Sequence, residues 1–137
     1  MRWLFFAFCL LPISVSAEPG CVSTFEDFLS KFETDRSFQE ENTVFPLKHS
    51  FVDLNADPEP RAVNKPLSKT EVTERINPIF PSPAAQRKVP FVRVIKSPTQ
   101  TRSIVQLEKP DTGYLLIYHF HKIGKCWRLV EFEDAST

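Results

Sequence analysis

The sequence predicts an α+β domain in which N-terminal helices pack on one face of a curved antiparallel sheet. Three observations carry this expectation. Phe25, Phe28, Leu29 and Phe32 recur at i, i+3, i+4 and i+7, the apolar stripe of an amphipathic helix. From residue 89 to residue 133, apolar and polar residues alternate in runs separated by turn residues. Helices gathered ahead of such a meander, rather than alternating with its strands, fall on one face of one sheet.

Each element follows from local chemistry. Thr24, with Asp27 three residues on, starts the first helix as a capping box with Asp in the usual Glu or Gln place. Its phenylalanine stripe calls for a concave apolar bed. Thr34 or Asp35 caps a second short helix to about Asn42, with Phe38 inward. A strand then runs to about Leu54, with Phe45, Leu47, His49 and Phe51 on one face. Residues 55–66 read as a loop hinged at Asp57-Pro58-Glu59-Pro60. Ser68-Lys69-Thr70-Glu71 is a full capping box, with Leu67 and Val72 placed as a hydrophobic staple, so a helix is expected over 69–76. Prolines 78, 81 and 83 end it, and 78–90 reads as a stiff surface loop. Strands are expected at 89–96, 102–108, 114–122 and 125–133, the last two forming a hairpin around Ile123-Gly124. In that register Tyr118 opposes Leu129 and Phe120 opposes Trp127. Tyr114, Leu116, Tyr118, Phe120, Trp127 and Leu129 then share one face.

The element order, the front motif Phe25-Glu26-Asp27-Phe28-Leu29-Ser30-Lys31-Phe32, the later Asp35, Phe38-Gln39 and Phe45-Pro46-Leu47, and the closing Trp127-Arg128-Leu129-Val130 carry a resemblance. Together they are similar to a family of secreted bacterial proteins of uncharacterised function with a nuclear-transport-factor-2-like, or cystatin-like, fold. The resemblance implies a cone-like shape, with a helix lying in a strongly curved sheet and long final strands. It brings no catalytic residues that could be carried over, and fold alone does not fix activity.

Met1-Arg2, the apolar run 3–11, Pro12 and the small exit Val15-Ser16-Ala17 form a secretory signal peptide. With a leader at 1–17, the mature chain is a single domain over 18–137, placed in the periplasm or secreted. No later segment has the apolar length to span a bilayer. The 137-residue chain less 17 leaves 120 residues, enough for one core and too few for two. Arg2 leaves with the leader, so 16 Lys and Arg face 17 Asp and Glu, a net charge near −1 that offers no general pull toward nucleic acid. Twelve prolines against three glycines indicate loops stiffened by fixed φ, not loose linkers. Once Cys9 is removed, Cys21 and Cys126 remain, an even pair in an oxidising compartment, and a disulfide is expected between them. A lipidated Cys21 is the alternative, but Glu18-Pro19-Gly20 lacks the apolar residue such processing needs.

Candidates for chemistry are few. His119 and His121 project to one side of a strand, and His49 could complete a zinc site, but no Cys or carboxylate stands at ligand spacing beside them. No metal or cofactor is therefore assigned. Cys126 near His121 could form a thiol–imidazole pair only if it were free of the bridge. There is no G-x-S-x-G elbow and no Gly-rich phosphate loop. The cone resemblance implies that Asp27, Asp53, Tyr114 or Tyr118 could be recruited to a mouth for acid–base work; as core aromatics with hydroxyls at the rim, the tyrosines need no such role. Glu131, Glu133 and Asp134 read as a solvated acidic cluster. Tyr114, Tyr118, His119 and His121 are the candidate ligand-binding residues, with no catalytic residue assigned. The leading expectation is an exported, non-catalytic binding domain that captures another envelope or secreted protein, as an inhibitor or immunity protein would. The alternative is a cone-mouth enzyme or small-ligand carrier, and an open pocket with converging polar groups would favour it.

Overall fold

The computed structural model describes residues 21–137; the expected leader at 1–17 lies outside the described residues. Helix α1 spans Phe25–Thr34 and α2 spans Arg36–Glu41. Strand β1 covers Thr43–Asp53 and β2 covers Arg61–Asn64. Helices α3 (Lys69–Arg75) and α4 (Pro83–Lys88) follow. Strands β3 (Val92–Thr99), β4 (Arg102–Lys109), β5 (Tyr114–Ile123) and β6 (Cys126–Asp134) end the chain. The sheet has six strands in the order β2-β1-β6-β5-β4-β3. The α+β class stands.

The meander from β3 to β6 is antiparallel, and so is β1 with β2. The β1–β6 pair is parallel, which makes the sheet mixed where an antiparallel one was expected. Turn chemistry determines hairpins between neighbours in sequence. The pairing of β1 with β6, over 70 residues later, leaves no local signal.

The helix stripe meets the sheet as its pattern requires. Thr24 caps α1, its side chain accepting from the Asp27 amide, and Phe28, Leu29 and Phe32 are buried. Phe120 receives the helix: its ring lies 5.4, 5.6 and 5.4 Å from those of Phe25, Phe28 and Phe32. Phe25 also packs edge-on against Trp127 at 5.0 Å. One buried cluster joins these rings to Phe38, Leu47, Val72, Phe80, Val105, Tyr118 and Leu129.

Three local expectations need correction. Residues 61–64 form β2 inside the expected loop, paired with β1 from Ser50↔Asn64 to Asp53↔Arg61; four residues between prolines, with Ala62 and Val63 adjacent and not alternating, carry no strand pattern to read. Residues 83–88 form α4 where a loop was expected. Ser82 at the N-cap with Pro83 just inside is a legible start signal, since proline forfeits no helix hydrogen bond there. The β5–β6 register also differs: Tyr118 opposes Phe132, Phe120 opposes Leu129 and Lys122 opposes Trp127. The turn sits one residue later than expected, a two-residue slip that keeps the faces. Val130 then bulges, because His119 pairs with Glu131 while Phe120 pairs with Leu129.

The Cys21 and Cys126 sulfurs are bonded, with Cα atoms 5.0 Å apart and the two residues 105 positions apart in sequence. The bond ties the segment ahead of α1 to the start of β6. Among the described residues, no helix is long and apolar enough to cross a membrane.

Candidate functional site

Gln39 shapes the site from within the core. It is buried in α2, yet all four of its hydrogen-bonding needs are met by backbone. Its amide nitrogen donates to the carbonyls of Phe32 at 2.7 Å and Phe80 at 3.0 Å. Its amide oxygen accepts from Ile79 N at 3.0 Å and Phe80 N at 3.3 Å. This clamp holds the proline-rich stretch between α3 and α4 against the helical layer, with Phe80 driven inward onto Tyr118 at 4.6 Å. Pro78, Ile79 and Pro81 thereby form one wall of an open pocket of about 640 Å³, with Ser82 and Ala85 of the α4 start beside them.

The opposite wall is the inner face of three adjacent strands. Period-two alternation presents His49 from β1, Tyr114, Leu116 and Tyr118 from β5, and Phe132 and Asp134 from β6. Cross-strand register brings them together: Tyr118 faces Phe132, Leu116 faces Asp134, and His49 faces Phe132. Phe91 closes the rim, its ring 5.6 Å from that of Tyr114. A second hollow of about 420 Å³ shares His49 and Asp134 and is otherwise bordered by Phe51, Val52, Leu54 and Ser136.

The polar groups differ in their surroundings. Tyr118 is 1% exposed, and its ring stacks on Phe132 at 4.9 Å. Burial, reinforced by Tyr114 and Asp134, holds its phenol far above the ordinary tyrosine range, so it stays protonated. Tyr114, 39% exposed at the mouth, is raised by burial and then by Asp134. The His49 ring lies between Phe51 and Phe132, at 5.5 and 5.1 Å. Burial lowers its pKa, with Asp134 opposing and Lys65 assisting, and its Nδ1 is buried without a partner. A neutral imidazole, two protonated phenols and one carboxylate thus converge in a mostly apolar pocket. Such a set can orient a small molecule by hydrogen bonds while the rings hold its body.

The four candidate ligand residues are not brought together. Tyr114 and Tyr118 line the pocket; His119 and His121 lie on the opposite face of the same strand. There His119 Nε2 pairs with Glu133, and His121 stands across from Arg128. The His121 pKa is lowered by burial and by Arg102, His119 and Lys48, against Glu131. His49 faces inward, so it cannot join them, and the described residues contain no group of three ligands suited to a metal. Cys126 is held by Cys21. Asp27 is spent on the α1 cap and Asp53 accepts from Asn55 N.

Phe132 and Asp134 are the sheet-wall residues of the pocket that sequence reasoning missed. Strict alternation from Trp127 and Leu129 places residues 132 and 134 on the outer face and Glu131 and Glu133 on the inner one. The Val130 bulge shifts the phase, leaving Glu131 and Glu133 outside and turning Phe132 and Asp134 inward. The alternation of Phe132 and Asp134 with those glutamates was the available signal, once a bulge is allowed between Leu129 and Glu131.

No protein-family profile matches the chain, and no curated protein does. A crystal structure of an NTF2-like protein from Bacteroides fragilis superposes on 82% of this chain with a TM-score of 0.58 at 22% identity. This chain spans 47% of the length of that one. The chain therefore has the NTF2-like fold.

Proposed function

We propose that the protein is an exported, disulfide-tied binding domain whose pocket holds a small, largely apolar ligand, with Tyr114, Tyr118, His49 and Asp134 as its polar contacts. The single observation behind this reading is the open pocket of about 640 Å³, lined by rings and prolines and carrying a few converging polar groups. Its size and composition fit the range of small-molecule sites, about 300–1,000 Å³. Export rests on the leader-like segment at 1–17 and is supported by the Cys21–Cys126 bond, since such bonds persist in oxidising compartments. The test is titration of the mature chain with the neutral apolar fluorophore N-phenyl-naphthylamine. Saturable enhancement that is lost in Ala85→Trp, which fills the mouth, supports the reading; no enhancement refutes it.

Capture of a protein in the envelope, as an inhibitor or immunity protein, is the second reading, favoured by one feature. Edge strand β3 leaves Val92, Val94 and Ile95 at 48, 38 and 47% exposure, and an apolar edge can take up a strand from another chain. Periplasmic pull-downs that return a partner from wild type but not from Val94→Lys would support it; no specific partner would count against it.

A further inference from the structure

The pocket's charge identifies its ligand class more closely than its shape does. Of its fourteen lining residues, Asp134 alone is a carboxylate, and none is Lys or Arg. Among the described residues, the Asp134 carboxylate accepts only from Ser136 N at 3.1 Å and takes part in no ion pair. Lys65, whose field reaches His49, is itself paired with Glu71 at 3.6 Å. A carboxylate beside an apolar cavity is costly to dehydrate unless a cation or several donors meet it. The same cavity carries the rings of Phe91, Tyr114, Tyr118 and Phe132, whose faces attract cations.

Resting on the reading of this pocket as a ligand site, we propose that its ligand is an organic amine: an apolar body carrying one ammonium group, which pairs with Asp134 among the aromatic rings. An ammonium offers three N–H donors and no acceptor. The Asp134 carboxylate and the Tyr114 and Tyr118 hydroxyl oxygens can all accept. Ile76, Ile79, Leu116 and Val89 provide apolar surface for the body. An anionic ligand would meet Asp134 with no compensating cation in the lining. A bare metal ion would find a single carboxylate and a hydrophobic wall, a poor match for hard-cation coordination.

The test compares three matched probes by calorimetry at neutral pH: phenylbutylamine, phenylbutanol and phenylbutyrate. The amine is expected to bind about 10-fold more tightly than the alcohol, the scale of one charge-assisted contact, and the carboxylate most weakly. Asp134→Asn keeps the acceptor for Ser136 N and should bring the amine to the alcohol's affinity while leaving the alcohol unchanged. Raising salt on the wild type should weaken the amine and spare the alcohol, a readout independent of any variant. Equal binding of amine and alcohol overturns the cation assignment and leaves the pocket as a ligand site. Preference for the carboxylate overturns the assignment outright. Failure of all three probes overturns both this inference and the small-ligand reading beneath it.

Discussion

Replacing Gln39 with Ala removes the clamp between α2 and the segment 79–80 and should be among the more damaging single changes in the chain. The side chain is 2% exposed and makes four hydrogen bonds of 2.7–3.3 Å to backbone. Each bond contributes about 1 kcal/mol net, and a buried donor left without a partner costs about 1–3 kcal/mol. The amides of Ile79 and Phe80 would both be stranded, with partial relief if water fills the space. The expected loss is about 3–5 kcal/mol, well beyond a typical surface change. Urea unfolding of the chain without residues 1–17, followed by Trp127 fluorescence, reads it directly. Gln39→Glu keeps the accepting oxygen but sets a carboxylate oxygen against the Phe32 and Phe80 carbonyls, so it should be no milder at neutral pH. Because Ile79 lines the pocket, probe binding should also weaken in any variant that remains folded. A Gln39→Ala protein within 1 kcal/mol of wild type would refute this account of the wall.

Further outcomes follow from the same structure. Cys21→Ser with Cys126→Ser releases a link spanning 105 positions; the chain-entropy account puts the loss at about 4–5 kcal/mol, read as a lower urea midpoint, whereas an unchanged midpoint would contradict it. His49 and His121 both have pKa values held below the ordinary 6.5, chiefly by burial. The unfolded chain therefore takes up protons first as pH falls; their contribution is intact above pH 6.5 and declines below it, so the urea midpoint should drop between pH 7 and pH 5, and less steeply in His49→Phe. Ala85→Trp should leave the unfolding midpoint near that of wild type while abolishing fluorophore binding; a retained signal would place the probe elsewhere.

Much of the fold was legible because it depends on nearby residues. The Phe25–Phe32 stripe, the Ser68 capping box and the alternation of β4 and β5 are patterns of i+3, i+4 or i+2, and the structure uses them as local physics directs. Helix α4 was missed despite its local Ser82-Pro83 start, but most of what escaped depends on partners remote in sequence. The parallel pairing of β1 with β6 joins segments that share no local signal, and β2 pairs along the other edge of β1. Edge strand β3 exposes both its faces, although its alternation resembles that of a half-buried strand. At the site, Tyr114 and Tyr118 could be placed on one face from spacing alone. Asp134 could not, because one bulged residue reverses its side, and Gln39 gave no sign that its amide would meet a segment forty positions away.

The central claim is that small ligands enter the pocket between the α3–α4 segment and the inner sheet face. Amide chemical shifts of the isotope-labelled chain without residues 1–17, recorded during titration with N-phenyl-naphthylamine, test it most directly. Saturable shifts at Leu116, Tyr118, Phe132, Asp134 and Ile79 are predicted, with Val92, Val94 and Ile95 unmoved. Shifts confined to the β3 edge, or none at saturating probe, would contradict it.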